Sequence, residues 1–145
     1  MALTVYKSSA GSGKTFTLVK EYIKLLIANP QDYRHILAIT FTNKATEEMK
    51  SRILQNLEVL ASGEASDLQK VLISEFEDRF DAEQVAARPN EAYDLIIHNY
   101  SRFEVSTIDS FFSIGLKSFA RELNLPLSYE VEMNQDLALN ETIDK

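Results

Sequence analysis

The 145-residue sequence contains no cysteine. That excludes disulfides and cysteine-ligated metal, and it fits a cytoplasmic location. The roughly 18 consecutive apolar residues that a membrane span needs are also missing. No signal-peptide pattern opens the chain, because Met1–Tyr6 is too short for an apolar core region. His35 and His98 have no partner at metal spacing and read as surface or helix-face positions. There is no internal repeat and no low-complexity tract. Positive charge is scarce: 15 Lys and Arg stand against 22 Asp and Glu, a net charge of −7. That balance argues against a generally basic nucleic-acid binder.

The distribution of charge is more informative than its sum. Residues 1–60 carry eight Lys and Arg against five Asp and Glu, and residues 61–145 carry seven against seventeen. A local basic groove is enough to hold a nucleic-acid strand. The acidic half reads as a set of solvated helix faces.

Ala2–Tyr6 is short, apolar and partly β-branched, and is expected to be a strand. Phe16, Val19, Tyr22, Ile23, Leu26 and Ile27 predict a helix over Thr15–Ala28 with one buried face, ended by Asn29-Pro30. The continuous run Ile36-Leu37-Ala38-Ile39 predicts a strand within His35–Thr42, covered on both faces. Asn43–Leu60 places Ala45, Met49, Ile53, Leu57 and Leu60 on one helical stripe, closed by Ala61-Ser62-Gly63. Ser66–Phe80 repeats the pattern. Arg88-Pro89-Asn90 is expected to separate it from a further helix, Glu91–Tyr100. Phe103–Ile108 reads as a third strand and Asp109–Leu123 as the next helix. Leu125-Pro126 breaks that helix, and Gln135–Lys145 reads as another. This order argues an α/β domain with a parallel sheet flanked by helices, short of strands and therefore incomplete.

Ser8-Ser9-Ala10-Gly11-Ser12-Gly13-Lys14-Thr15 lies between the first strand and the first helix. In that context it is a phosphate loop. Gly11 and Gly13 let consecutive N–H groups face one point, and the helix adds its own unpaired N–H groups and positive end. Lys14 can reach the outer phosphates, and the Thr15 hydroxyl can ligate Mg²⁺. Ser8 stands where Gly is common. A phosphate loop alone does not name a reaction.

Two further strand-to-helix junctions carry chemistry. Ile39-Thr40-Phe41-Thr42-Asn43-Lys44-Ala45 offers a ring, hydroxyls, an amide and an ammonium, which suit a single nucleic-acid strand. It is expected at the same end of the sheet as the phosphate loop, where open α/β sheets bind ligands. Equally, Thr42 or Asn43 could simply cap the helix while Phe41 packs inward. Ser106-Thr107-Ile108-Asp109-Ser110-Phe111-Phe112 is a similar junction, where Asp109 or Ser110 could be a cap.

SSAGSGKTFT, ITFTNKATEEMKSRI and STIDSFF, in that order, resemble the first three motifs of the superfamily 1 helicases of the UvrD/Rep type. The loop comes almost at once, and the segment between the second and third motifs is long and helical. Both features are similar to the RecB and AddA group, the helicase subunits of recombination nucleases. The resemblance covers about residues 3–125. It implies a P-loop NTPase (RecA-like) motor domain over 1–124, with a helical insertion at about 62–102, and the start of a truncated insertion domain over 125–145. It implies that Ser9, Ala10, Gly11, Ser12, Gly13, Lys14 and Thr15 bind ATP phosphates, with Lys14 catalytic and Thr15 on Mg²⁺. Phe41, Thr42, Asn43 and Lys44, then Thr107 and Ser110, would contact single-stranded DNA. Asp109 departs from the pattern, since His is usual there, and an acid facing a phosphate would be repulsive. Other helicase-nuclease subunits are the implied partners.

The acidic pair with which that family holds Mg²⁺ and polarises water is missing: no Asp-Glu pair follows an apolar strand. The expectation is an N-terminal portion of an ATP-dependent DNA helicase/exonuclease subunit, cut after the third motif. Such a portion would have little ATPase and no nuclease activity of its own. The competing readings are a small P-loop phosphotransferase and a non-catalytic nucleotide-binding module.

Overall fold

Apolar residues three and four apart set the helices. A computed structural model describes residues 3–7, 13–63, 67–76 and 82–119. The chain divides into two compact units, Met1–Ile108 and Asp109–Lys145. Helix α1, Lys14–Ala28, buries Val19, Tyr22, Ile23, Leu26 and Ile27, the face expected from their spacing. Asn29 then turns extended, and its side chain accepts from the Gln31 N–H to cap a 3-10 segment, Pro30–Arg34. Strand β1, Ala38–Thr40, follows.

Helix α2, Asn43–Ala61, buries Met49, Ile53, Leu57 and Leu60. Gly63 closes it with φ +73, a left-handed conformation that costs glycine little. Helix α3, Asp67–Phe76, buries Leu68, Leu72 and Phe76. Helix α4 is Ala82–His98. A 3-10 turn, Tyr100–Arg102, leads into strand β2, Val105–Thr107. The two strands pair in parallel with Ala38 opposite Val105, Ile39 opposite Ser106 and Thr40 opposite Thr107. The first unit is therefore a helix-rich α/β fold around a small two-stranded parallel sheet.

α1, α2 and α4 share one core with Tyr33, Phe103 and Val105. Burying each large aliphatic or aromatic side chain there is worth about 1.5–3 kcal/mol. Phe103 packs edge-on against both Tyr22 and Tyr100, each at 5.8 Å between centroids. Lys50 lies over two of these rings, 5.2 Å from Tyr100 and 5.7 Å from Phe103. Burial raises the Tyr22 hydroxyl pKa, and the negative charge of Glu104 adds to the rise.

Several expectations need correction. Residues 3–7 are not in a strand, and Leu3 is 90% exposed. An apolar, β-branched segment becomes a strand only when a neighbour supplies its hydrogen bonds. In the described sheet β1 and β2 pair only with each other. β1 is not covered on both faces, because Ile39 is 41% exposed. β2 is shorter than Phe103–Ile108. The break at Arg88-Pro89-Asn90 does not occur, since α4 runs through it. Pro89 lies on the same buried stripe as Val85, Ala92 and Ile96. Core packing on that stripe offsets the roughly 3 kcal/mol cost of an internal proline. The expected helices beyond Phe119, and the boundary at 124/125, lie outside the described residues.

In the second unit, α5, Ile108–Phe119, begins at the last residue of the first unit. It exposes Phe111, Phe112, Ile114, Leu116 and Phe119, and the Phe111 and Phe112 rings meet edge-on at 5.7 Å.

Candidate nucleotide and nucleic-acid site

The α1 N-terminus is built on Gly13, whose φ of +80 is a conformation that side-chain-bearing residues rarely adopt. A Cβ at Gly13 would meet no atom within 4 Å, so backbone conformation rather than space demands glycine. Its carbonyl accepts from the Thr17 N–H at 2.9 Å, closing the first turn. Gly13 has no side chain with which to cap this end, no other described side chain caps it, and no acidic residue stands in the first turn. The first N–H groups of a helix have no partner within the helix, and here they combine with the positive dipole end. Lys14 is exposed and Thr15 half-buried in the same turn. Such an end attracts an anion. Ser9, Ala10, Gly11 and Ser12 lie outside the described residues. The strand expected to lead into them does not form over residues 3–7, so its expected shared sheet end with the next junction is not seen.

The junction after β1 is arranged differently. Thr42 caps α2: its Oγ1 accepts from the Ala45 N–H at 3.1 Å. Thr40 Oγ1 and Thr46 Oγ1 are hydrogen-bonded at 2.7 Å, and each also lies 3.2 Å from the Thr42 carbonyl, so one hydroxyl donates to the other while that other donates to the carbonyl. These bonds tie the strand end to the first helical turn. Phe41 is left 85% exposed, so it does not pack inward. Asn43 and Lys44 are exposed beside it in sequence. The Thr42 reading as a cap is therefore correct for its side chain.

Thr107 ends β2 level with Thr40 and is only 8% exposed. Ser110 and Asp109 are exposed in the first turn of α5, in the second unit. Among the described residues no three His, Cys, Asp or Glu side chains are grouped to hold a metal ion. Spacing rules carried no signal for the Thr40–Thr46 brace or for Lys50 over the two rings. Both depend on contacts between separate elements.

The family model described as UvrD/REP helicase N-terminal domain matches residues 3–145. The chain belongs to this family. The helicase-family chain is 33% identical over 141 residues to the A-type subunit of an ATP-dependent helicase/nuclease from Bacillus cytotoxicus, covering 94% of the chain and 10% of that protein. Proteins of the same description from Bacillus cereus and Bacillus thuringiensis are each 49% identical over 70 residues, 47% of the chain and 5% of theirs. The chain thus spans a tenth or less of the length of these relatives. No solved structure matches it. No described helix is long and apolar enough to cross a membrane.

Proposed function

We propose that this chain is the N-terminal ATP-binding portion of a DNA helicase/nuclease subunit, with a RecA-like P-loop arrangement. The observation that carries the reading is the α1 N-terminus with Gly13, Lys14 and Thr15, uncapped among the described residues, in a chain of the UvrD/REP family. Ser9, Ala10, Gly11, Ser12 and Gly13 offer backbone N–H groups to the phosphates, and Lys14 neutralises the outer ones. The donor set fits a Mg²⁺ that arrives with the nucleotide. The protein adds the Thr15 hydroxyl, and the phosphate oxygens supply the rest. When bound, that ion offsets phosphate charge.

Phe41 is the stacking surface for a base of single-stranded DNA, and Lys44 and Asn43 hold its backbone. Thr42 contributes its main chain, because its hydroxyl is used by Ala45. Ser110, in the second unit, is a further DNA contact taken by itself. Thr107 ends β2 level with Thr40. In the whole subunit, nucleotide-driven closure of two motor domains would move this strand, in the cytoplasm and with partner subunits. The 145-residue chain alone binds ATP and turns it over poorly, because its sequence has no acidic pair after an apolar strand to polarise water.

Isothermal titration of the chain with ADP and Mg²⁺, beside the Lys14→Ala variant, tests the nucleotide reading. Fluorescence anisotropy with an oligo-dT probe at low and high salt tests the strand reading, for which salt-sensitive binding is expected. Binding of ADP unaffected by Lys14→Ala, or robust ATP turnover that Lys14→Ala abolishes, sinks the corresponding claim. Absence of oligo-dT binding at low salt favours the phosphotransferase or regulatory-module reading.

A further inference from the structure

α1 is held from one end. Its buried residues begin at Val19, while Lys14, Phe16 and Leu18 are exposed and Thr15 and Thr17 only half-buried. The turn that carries Lys14 and Thr15 therefore projects from a helix seated only by its later turns. From Lys14 to Ala28 the axis is about 21 Å long, so a tilt of about 3° at the seated end moves the first turn by about 1 Å.

The seated end is gripped by two helices distant in sequence. Arg88 of α4 donates from Nη1 to the Ile27 carbonyl at 2.8 Å and to the Ala28 carbonyl at 3.0 Å. These are two of the last four carbonyls of α1, which have no partner within the helix. The guanidinium also meets the negative end of the helix dipole. Its neighbour Pro89 is fully buried, as is Ile27, while Arg88 itself is half-buried. On the flank of α1, Lys24 and Lys20 reach Glu75 of α3 at 2.6 Å and 3.5 Å.

We propose that Arg88 is a positioning residue for the nucleotide phosphates: by fixing the C-terminal end of α1 it sets where the Lys14–Thr15 turn lies. Arg88 lies at the opposite end of α1 from the Lys14–Thr15 turn. It acts through the helix axis, with α4 and α2 packed along the seated part of α1 and α3 reaching its flank through Glu75. The proposal rests on the nucleotide reading given above.

The test uses the 145-residue chain and ADP with Mg²⁺. Arg88→Gln removes the charge and the two-carbonyl grip. Arg88→Lys keeps the charge but not the planar fork. Ile53→Val in the α2 core, compared at equal loss of Tm, controls for general loosening. Misplacement of about 1 Å can cost up to ~10²-fold where geometry is exacting, so a rise of about tenfold in Kd is expected for Arg88→Gln. Arg88→Lys is expected to recover part of that loss, and Ile53→Val to bind ADP as the parent does. The ³¹P shift of the bound β-phosphate is expected to move in Arg88→Gln alone. An unchanged Kd and ³¹P shift in Arg88→Gln overturns the proposal, as does an equal loss in Ile53→Val. If the parent chain binds no ADP, or binds it equally well with Lys14→Ala, the nucleotide reading itself fails and the proposal falls with it.

Discussion

Two helix N-termini of the first unit, those of α1 and α2, are finished in opposite ways. α2 is closed by its own chain: Thr42 caps it, and Thr40 and Thr46 brace the cap. α1 is open among the described residues: its N-cap Gly13 is left-handed and has no side chain to cap with, and no acid stands in the first turn. A closed end is worth stability to the protein itself. An open end keeps its donors and its positive field for something else. The contrast agrees with the proposed division of labour, a phosphate at α1 and a nucleic-acid strand at the side chains of the α2 junction, chiefly Phe41 and Lys44.

The largest effect that would break this comparison belongs to α1. Lys14→Ala is expected to weaken ADP binding by about 10- to 100-fold, the range for a lost charge-assisted bond of about 1.5–3 kcal/mol, read by calorimetry. Gly13→Ala is expected to do similar damage and also to destabilise the fold by about 1–2 kcal/mol, because an L side chain resists φ near +80. Gly13→Asn should be milder, since asparagine tolerates that region. If Gly13→Ala is as stable as Gly13→Asn in chemical denaturation, the conformational account of the loop is wrong.

Next comes the exposed ring. Phe41→Ala is expected to lose about 1–3 kcal/mol of oligo-dT affinity, the usual worth of one stacked base. Its thermal stability should stay within about 0.5 kcal/mol of the parent, as for other exposed positions. Thr42→Ala tests the closed end directly. It should cost about 1 kcal/mol of stability in denaturant titrations and leave ADP affinity unchanged. A loss of ADP affinity there would mean that the two ends are not independent.

The smallest expected effect is ionic. The hydrogen bond to Lys24 holds the Glu75 carboxyl below its ordinary pKa, and the Glu75 carboxylate holds the Lys24 ammonium above its own. A depressed carboxylate pKa adds stability above the unfolded value, which is lost as pH falls through the folded one. A raised lysine pKa adds stability below its unfolded value, which is lost as pH rises through the folded one. The pair therefore favours the fold in the range between them. Glu75→Gln should flatten both flanks of a Tm-versus-pH curve by less than about 1 kcal/mol, because both side chains are partly solvated.

Much of the fold was legible because periodicity reports burial. The stripe Met49, Ile53, Leu57, Leu60 is both the repeat seen in the sequence and the buried face of α2. The Pro89 helix was not legible. A proline's local cost is visible in the sequence, but the core that offsets it comes from α1 and α2. Residues 3–7 failed in the opposite direction: strand character is visible locally, whereas the ladder that completes a strand lies elsewhere. At the site, Gly13, Lys14 and Thr42 could be assigned roles from neighbouring residues. Arg88 could not, since its partners Ile27 and Ala28 lie some sixty positions earlier.

By itself the sequence determined the amphipathic helices and the family, and it carried the phosphate-loop motif on which the proposed chemistry rests, because each is written in residues close together along the chain. Only the tertiary structure decided which helix end stays open, which threonine is spent as a cap, where Phe41 points and what grips the far end of α1. Those depend on hydrogen bonds and burial between elements distant in sequence. Whether a polar group is free or already paired is a property of its three-dimensional neighbours, not of its residue type.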